Sequence, residues 1–255
     1  YFELKSYAQA KGIDFMVTAF DVDAVDFLEE VGVDSYKLAS HSLTNLPLLE
    51  YLSKKGKPTI LSTGMAEWDE ISRAVDIFKE RNCPLALMHC VSAYPTPLDQ
   101  CNLELIRELQ FRYKVPVGYS GHELGFLPSV CAVAMGARII ERHYTLDKSM
   151  IGFDHKISLE PDELTEMVTQ IRDVEKIRGK GVKEVSEVEQ ITRDKYHVSM
   201  VLSRPMEEGM ILGETMIEYR NPGTGIPPKS AHQVLGKQAK FPIRKDVLLH
   251  PNMFE

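Results

Sequence analysis

The feature that most constrains this chain is an alternation. Between residues 15 and 142, short β-branched, apolar runs take turns with longer stretches of helical period. The runs at 15–18, 36–39, 59–61, 85–89, 115–118 and 138–142 read as strands. Helices are expected over 22–31, 47–54, 68–80, 102–111, 126–135 and 161–178, each with one apolar stripe, as in Ile71, Val75 and Phe78. Strands that are apolar along their whole length are buried on both faces, and a helix between successive strands makes the sheet parallel. Such an α/β chain is either doubly wound or a (β/α)8 barrel. Polar residues recur just past the strand ends, where a barrel gathers its chemistry, so a TIM barrel is expected. Eight strands close a TIM barrel and about six are legible here. The chain also starts, at Tyr1, inside what reads as a helix, so the first two or so βα units are expected to be absent.

The rhythm stops after Arg178. Residues 179–195 are charged and carry no apolar stripe worth burying, which reads as a linker between a catalytic body, 1–178, and a tail, 196–255. In the tail, short β-like runs are broken at Arg204 Pro205, Glu208 Gly209 and Asn221 Pro222 Gly223, the composition of a compact, turn-rich module. Met206, Met210, Ile211, Leu212, Met216 and Ile217 are its expected core.

A formal net charge of −7 argues against a general nucleic-acid surface. An anionic ligand would therefore need a local basic pocket. No apolar run approaches the roughly 18 residues of a membrane span, and the first residues lack a signal-peptide layout, so no membrane association is expected and the cytoplasm is the default location. The four cysteines, Cys83, Cys90, Cys101 and Cys131, show no CxxC spacing and sit in or beside apolar segments, as reduced thiols do.

In a parallel barrel, side chains at the carboxyl ends of the strands converge on one face. Thr18, Lys37, Ser40, Ser62, Ser92, Tyr94, Ser120, His122 and His143 all fall there. His122 and His143 end consecutive strands whose backbones lie roughly 5 Å apart, so they can share one metal ion. Two imidazoles with open positions suit an octahedral divalent ion better than a closed zinc site. His89, in Met88 His89 Cys90, reads as packed or hydrogen-bonded inside. Lys37 brings point charge, Ser40, Ser62, Thr63, Ser92 and Ser120 bring directed hydroxyls, and Gly64 lets backbone N–H groups approach, which together suit a phosphate. Singly, each also suits an ordinary turn.

Longer words carry more. Tyr36 Lys37 Leu38 Ala39 Ser40, Leu61 Ser62 Thr63 Gly64 Met65, His89 Cys90 Val91 Ser92 Ala93 Tyr94 Pro95 Thr96 Pro97, Gly118 Tyr119 Ser120 Gly121 His122 and Glu141 Arg142 His143 Tyr144 Thr145 Leu146 Asp147 resemble the sialic acid synthase family, in its order. Phe153 Asp154 and Ser158 Leu159 Glu160 Pro161 continue the resemblance, and the tail from Tyr196 is similar to that family's antifreeze-like SAF domain. The resemblance implies condensation of phosphoenolpyruvate with an N-acylated amino sugar, N-acetylmannosamine or a relative, to a nine-carbon 2-keto acid with release of phosphate. It implies a divalent metal, Mn2+ before Mg2+ or Co2+, on His122 and His143. It also implies phosphoenolpyruvate contacts from Thr18, Lys37, Ser40, Ser62, Ser92 and Ser120, sugar contacts from Tyr94 and Asp154, and a homodimer that exchanges its small domains. Arg220 or Asn221 of that domain would then reach the sugar. The carboxylate often found two residues after the position of Ser40 is Ser42 here.

Two rival readings stand beside this one. A divalent-metal aldolase or hydrolase on the same barrel would use Glu123 or Asp147 as an acidic ligand or base. An inert barrel carrying an ice-binding tail would need a flat, regularly patterned, exposed face.

Overall fold

A computed structural model describes the whole chain, Tyr1–Glu255, in which two compact units separate at Lys180 and Gly181. In the first unit, helices and strands alternate as α1 (Phe2–Ala10), β1 (Val17–Thr18), α2 (Val22–Val31), β2 (Tyr36–Leu38), α3 (Leu46–Ser53), β3 (Thr59–Ser62), α4 (Trp68–Glu80), β4 (Leu85–Cys90), α5 (Leu105–Tyr113), β5 (Val117–Gly121), α6 (Leu127–Ala134), β6 (Ile140–Arg142) and α7 (Pro161–Arg178). The six strands pair in chain order, each parallel to the next. The result is a partial (β/α) barrel with β1 and β6 at its two edges.

Local chemistry sets the helix limits. Asp21 caps α2 by accepting from the Ala24 N–H at 2.7 Å, and Gly32 ends it in the left-handed region at φ 75°. Glu67 and Glu70 form a capping box at the start of α4, as Glu160 and Glu163 do for α7. Helix α4 then buries Ile71, Ala74, Val75 and Phe78, the expected stripe, against the sheet.

The strand register sorts side chains into two sets. Tyr36, Leu38, Leu61, Leu87, Val117 and Tyr119 belong to the core shared with the helices. Side chains alternate along a strand, so Lys37, Ser62, Cys90, Ser120 and Glu141 share the opposite face. Thr18 pairs with Lys37, and Ser120 pairs with both Cys90 and Glu141.

One strand differs in position from the sequence expectation. The strand expected at 115–118 runs Val117–Gly121, because Pro116 has no N–H to give a ladder and contributes only its carbonyl, to the Leu87 N–H at 3.0 Å. Ser120 and Gly121 are consequently strand residues, and His122 directly follows.

In the second unit, helix α8 (Glu187–Tyr196) precedes β7 (Ser199–Leu202), which pairs antiparallel with β8 (Ile217–Arg220). Helix α8 occupies part of the stretch expected to be a plain linker. It buries no residue and is held by a capping box between Ser186 and Glu189, a signal that an apolar-stripe criterion does not detect. Met206, Leu212 and Met216 pack in the core of this unit with Met200, Leu202 and Ile226. Met210 and Ile211 do not: they are 39% and 59% exposed.

Candidate active site

A cavity of about 460 Å³ opens at the carboxyl ends of the strands. Thr18, Lys37, Ser40, Ser62, Ser92, Tyr94, Ser120, His122 and His143 all line it. Residues spread over more than a hundred positions are thus brought to one concavity by the parallel register.

Its basic corner is built around Lys37. The ammonium is buried, donates to Ser62 Oγ at 2.8 Å and to the Leu38 carbonyl at 3.2 Å, and stands 3.3 Å from Glu141 Oε1. Beside it, the Gly64 N–H donates to Ser40 Oγ at 3.0 Å. A Cβ at Gly64 would collide with Ser92 Oγ and stand 2.8 Å from Ser40 Oγ, so any larger residue there would displace both hydroxyls. Charge, hydroxyls and close backbone approach are what an oxyanion uses.

The other corner is aromatic. The rings of His122 and His143 lie 5.3 Å apart, and Tyr94 packs on His122 at 4.2 Å. His122 Nδ1 is 3.1 Å from the Val91 carbonyl, which can only accept, so Nδ1 carries the proton and Nε2 is an acceptor. Burial pushes both imidazoles below their usual basicity, and Asp154, with Oδ2 3.6 Å from His143 Nδ1, partly opposes the shift there. Both rings are therefore neutral at neutral pH.

Comparison with known proteins adds the decisive observation: the NeuB family matches residues 1–183, and the SAF domain matches residues 197–255. The chain belongs to the NeuB family. It is 39% identical over 252 residues to the N,N'-diacetyllegionaminic acid synthase of Campylobacter jejuni, which covers 97% of this chain and 75% of that protein. It is 38% identical over 248 residues to the human N-acetylneuraminate-9-phosphate synthase, which covers 96% of this chain and 69% of that one. The N-acetylneuraminic acid synthetase of Leptospira borgpetersenii superimposes with a TM-score of 0.72 at 43% identity, over 75% of this chain and 67% of that chain.

For this NeuB-family chain the expected metal centre is corrected. No group of three or more His, Cys, Asp or Glu side chains is arranged to hold a metal ion. His122 and His143 are two donors without a third: Glu141 turns to Lys37, and Glu123 is fully buried in an ion pair with Arg142. The Mn2+ assignment, with its Mg2+ and Co2+ alternatives, and the ligand role of the two histidines are withdrawn on that geometry.

Other expectations fall elsewhere. Asp154 is half exposed and meets the NeuB-family cavity through His143. Arg220 and Asn221 belong to the second unit, where Arg220 Nη1 is 2.7 Å from Asp246 Oδ1 and Asn221 Nδ2 donates to the Tyr196 carbonyl at 3.3 Å. His89 is hydrogen-bonded inside, as expected: it is buried within β4, facing the helices, with Nε2 2.7 Å from the Cys101 carbonyl. Neither carboxylate of the hydrolase reading lines the cavity: Glu123 is buried against Arg142, and Asp147 lies outside it, with Oδ1 accepting from the Ser149 N–H at 2.7 Å.

Sequence reading missed His41, Met65, Cys90 and Glu141, which also line the cavity. For Glu141 a signal was present: it lies one strand from Ser120 in the same alternating set, so marking Ser120 as cavity-facing marks Glu141 too.

Proposed function

We propose that this cavity holds phosphoenolpyruvate at its Lys37 corner and the open-chain form of an N-acylated amino sugar towards His122, His143 and Tyr94. The observation that carries the reading is the buried Lys37 ammonium among Ser62, Ser40 and the Gly64 N–H, a charge-assisted anion seat in an otherwise acidic protein. The chain is an enzyme of the phosphoenolpyruvate-dependent synthase family that forms C–C bonds on amino sugars.

The chemistry is an aldol-like condensation followed by hydrolysis. C3 of phosphoenolpyruvate forms a bond to the aldehyde carbon, whose oxygen becomes a hydroxyl. Water adds at C2, and cleavage of the C–O bond at C2 releases phosphate and leaves the 2-keto acid. Lys37 and the serine hydroxyls fix the anion and stabilise the charge that gathers on the leaving phosphate. His122 presents an acceptor nitrogen to a sugar hydroxyl or to the incoming water. Asp154 orients His143 or a hydroxyl pair of the sugar. Holding both substrates in one cavity supplies the proximity that such a bimolecular step requires.

Exchange of SAF domains in a homodimer, with Arg220 or Asn221 serving a partner's cavity, belongs to the same reading. So does a cytoplasmic setting, where phosphoenolpyruvate is made; no helix is long and apolar enough to cross a membrane.

The test is a substrate panel with phosphoenolpyruvate and N-acetylmannosamine, its 6-phosphate, and the deoxy diamino sugars of legionaminic and pseudaminic type. Release of phosphate with a matching nine-carbon keto acid supports the reading. Hydrolysis without C–C bond formation rejects it.

A further inference from the structure

A second cavity, of about 600 Å³, lies on the helix side of the sheet, between α4 and α5 over β3 and β4. Both strands are paired along both edges, so the space is bounded by neighbours within the sheet and is not an open end of the partial barrel. Trp68 and Ile71 of α4 form one wall, Leu105 and Leu109 of α5 the other. The two helices are tied to each other by a hydrogen bond of 2.9 Å between Ser72 Oγ and Tyr113 Oη.

One polar group faces this apolar space. His89 is 2% exposed and lines this cavity but not the active-site one. Its Nε2 lies 2.7 Å from the Cys101 carbonyl, which only accepts, so Nε2 carries the proton and Nδ1 keeps a lone pair. Burial lowers the basicity of the ring and holds it neutral. Nδ1 has no hydrogen-bond partner in the protein. The only fully enclosed side-chain nitrogen or oxygen without a partner is Arg142 Nε, so His89 Nδ1 keeps open surface, and the cavity it lines is this one. A ligand hydroxyl would reproduce the bond that water makes to such an acceptor and would cover the apolar walls as well.

Charge narrows the ligand further. No Lys or Arg lines the cavity, while Glu67 and Asp69, both exposed, do. The start of α4 is closed to anions too, because its capping box already brings the carboxylates of Glu67 and Glu70 to the helix N–H groups. Phosphoenolpyruvate and a keto acid are thus repelled, and a sugar with hydroxyls on every side would strand most of them against apolar walls. A flat, neutral, mostly apolar ring with one O–H or N–H donor suits the walls, the acceptor and the acidic rim together.

We propose that this cavity is a second ligand site, for a small neutral aromatic molecule whose one O–H or N–H donates to His89 Nδ1. Cys90 and Met65 line both cavities and form the partition between the two sites.

The test uses the full chain with phenol as probe and toluene as the same ring without the donor, and it needs no turnover. Trp68 is the only tryptophan of the chain, so its indole N–H gives a single NMR cross-peak that reports this cavity. Phenol should move that peak saturably, with about millimolar affinity or tighter. In the same titration the 15N resonance of His89 Nδ1 should move upfield, as a lone pair does on accepting a hydrogen bond, and toluene should leave it still. His89→Leu should weaken phenol about tenfold relative to toluene. The His89 resonance is read on wild type, so the test stands even where that variant fails to fold.

A Trp68 peak that neither ligand moves, or that moves without saturating, overturns the site. If both ligands bind while His89 Nδ1 stays still, the cavity is an apolar hollow with no donor-specific seat, and the proposal falls. Saturable movement of Trp68 and His89 Nδ1 together, with phenol alone, supports it.

Discussion

Arg142 Nη1 lies 2.6 Å from Glu123 Oε1, and the two side chains are 2% and 0% exposed. The same guanidinium donates to the Glu123 carbonyl at 2.9 Å and to Ser129 Oγ at 3.2 Å, while Tyr119 Oη donates to Glu123 Oε2 at 2.9 Å. One ion pair therefore ties β6 to β5, to the loop after it and to α6. Each partner is the chain neighbour of a cavity imidazole, Glu123 of His122 and Arg142 of His143.

Removing one partner strands the other as a buried charge, which costs about 3–5 kcal/mol. Arg142→Met is expected to lose that much in urea unfolding, and Glu123→Gln somewhat less because it keeps the shape. The double variant should recover part of the loss. A single variant as stable as wild type would show that the pair contributes nothing.

Lys37→Met should raise KM for phosphoenolpyruvate roughly tenfold to a hundredfold, the worth of a hydrogen bond to a charged group, with little effect on KM for the sugar. Initial rates over both substrates measure this. Equal effects on the two would remove Lys37 from the anion seat.

Asp154→Asn keeps the shape of the side chain and removes its charge. If Asp154 orients His143 or the sugar, kcat or KM for the sugar changes several-fold while KM for phosphoenolpyruvate does not. Unchanged sugar kinetics would make Asp154 a loop residue only.

His89 carries a pH dependence of stability. Burial lowers its pKa from the ordinary 6.5, partly offset by the hydrogen bond to the Cys101 carbonyl. The unfolded chain thus binds a proton more readily than the folded one. Its contribution to stability is complete above pH 6.5 and is lost as pH falls through the lower, folded value. Denaturation midpoints should fall from about pH 7.5 to about pH 5.5, and His89→Gln should flatten that slope. An identical slope in the variant would assign the dependence to other groups.

Exchange of the small domains is tested by mixing. Heterodimers of His122→Ala with a variant altered at Arg220 and Asn221, each inactive alone, should regain one working site if the SAF domain serves a partner. Verified heterodimers with no recovered activity would end the proposal.

The sequence by itself determined the architecture of the first unit, because short continuous apolar runs taking turns with stretches of 3.6-residue period are local patterns that leave a parallel βα repeat as the solution. Much of the cavity was legible for the same reason: Lys37, Ser62, Ser120 and His143 sit at strand ends, and a parallel sheet puts strand ends together. Tertiary structure alone decided what those residues face. Whether Glu123 is a base or a buried counter-ion depends on Arg142, nineteen residues away along the chain and 2.6 Å away in space. The metal expectation failed on the same point, since a third donor is a property of side-chain direction and not of spacing.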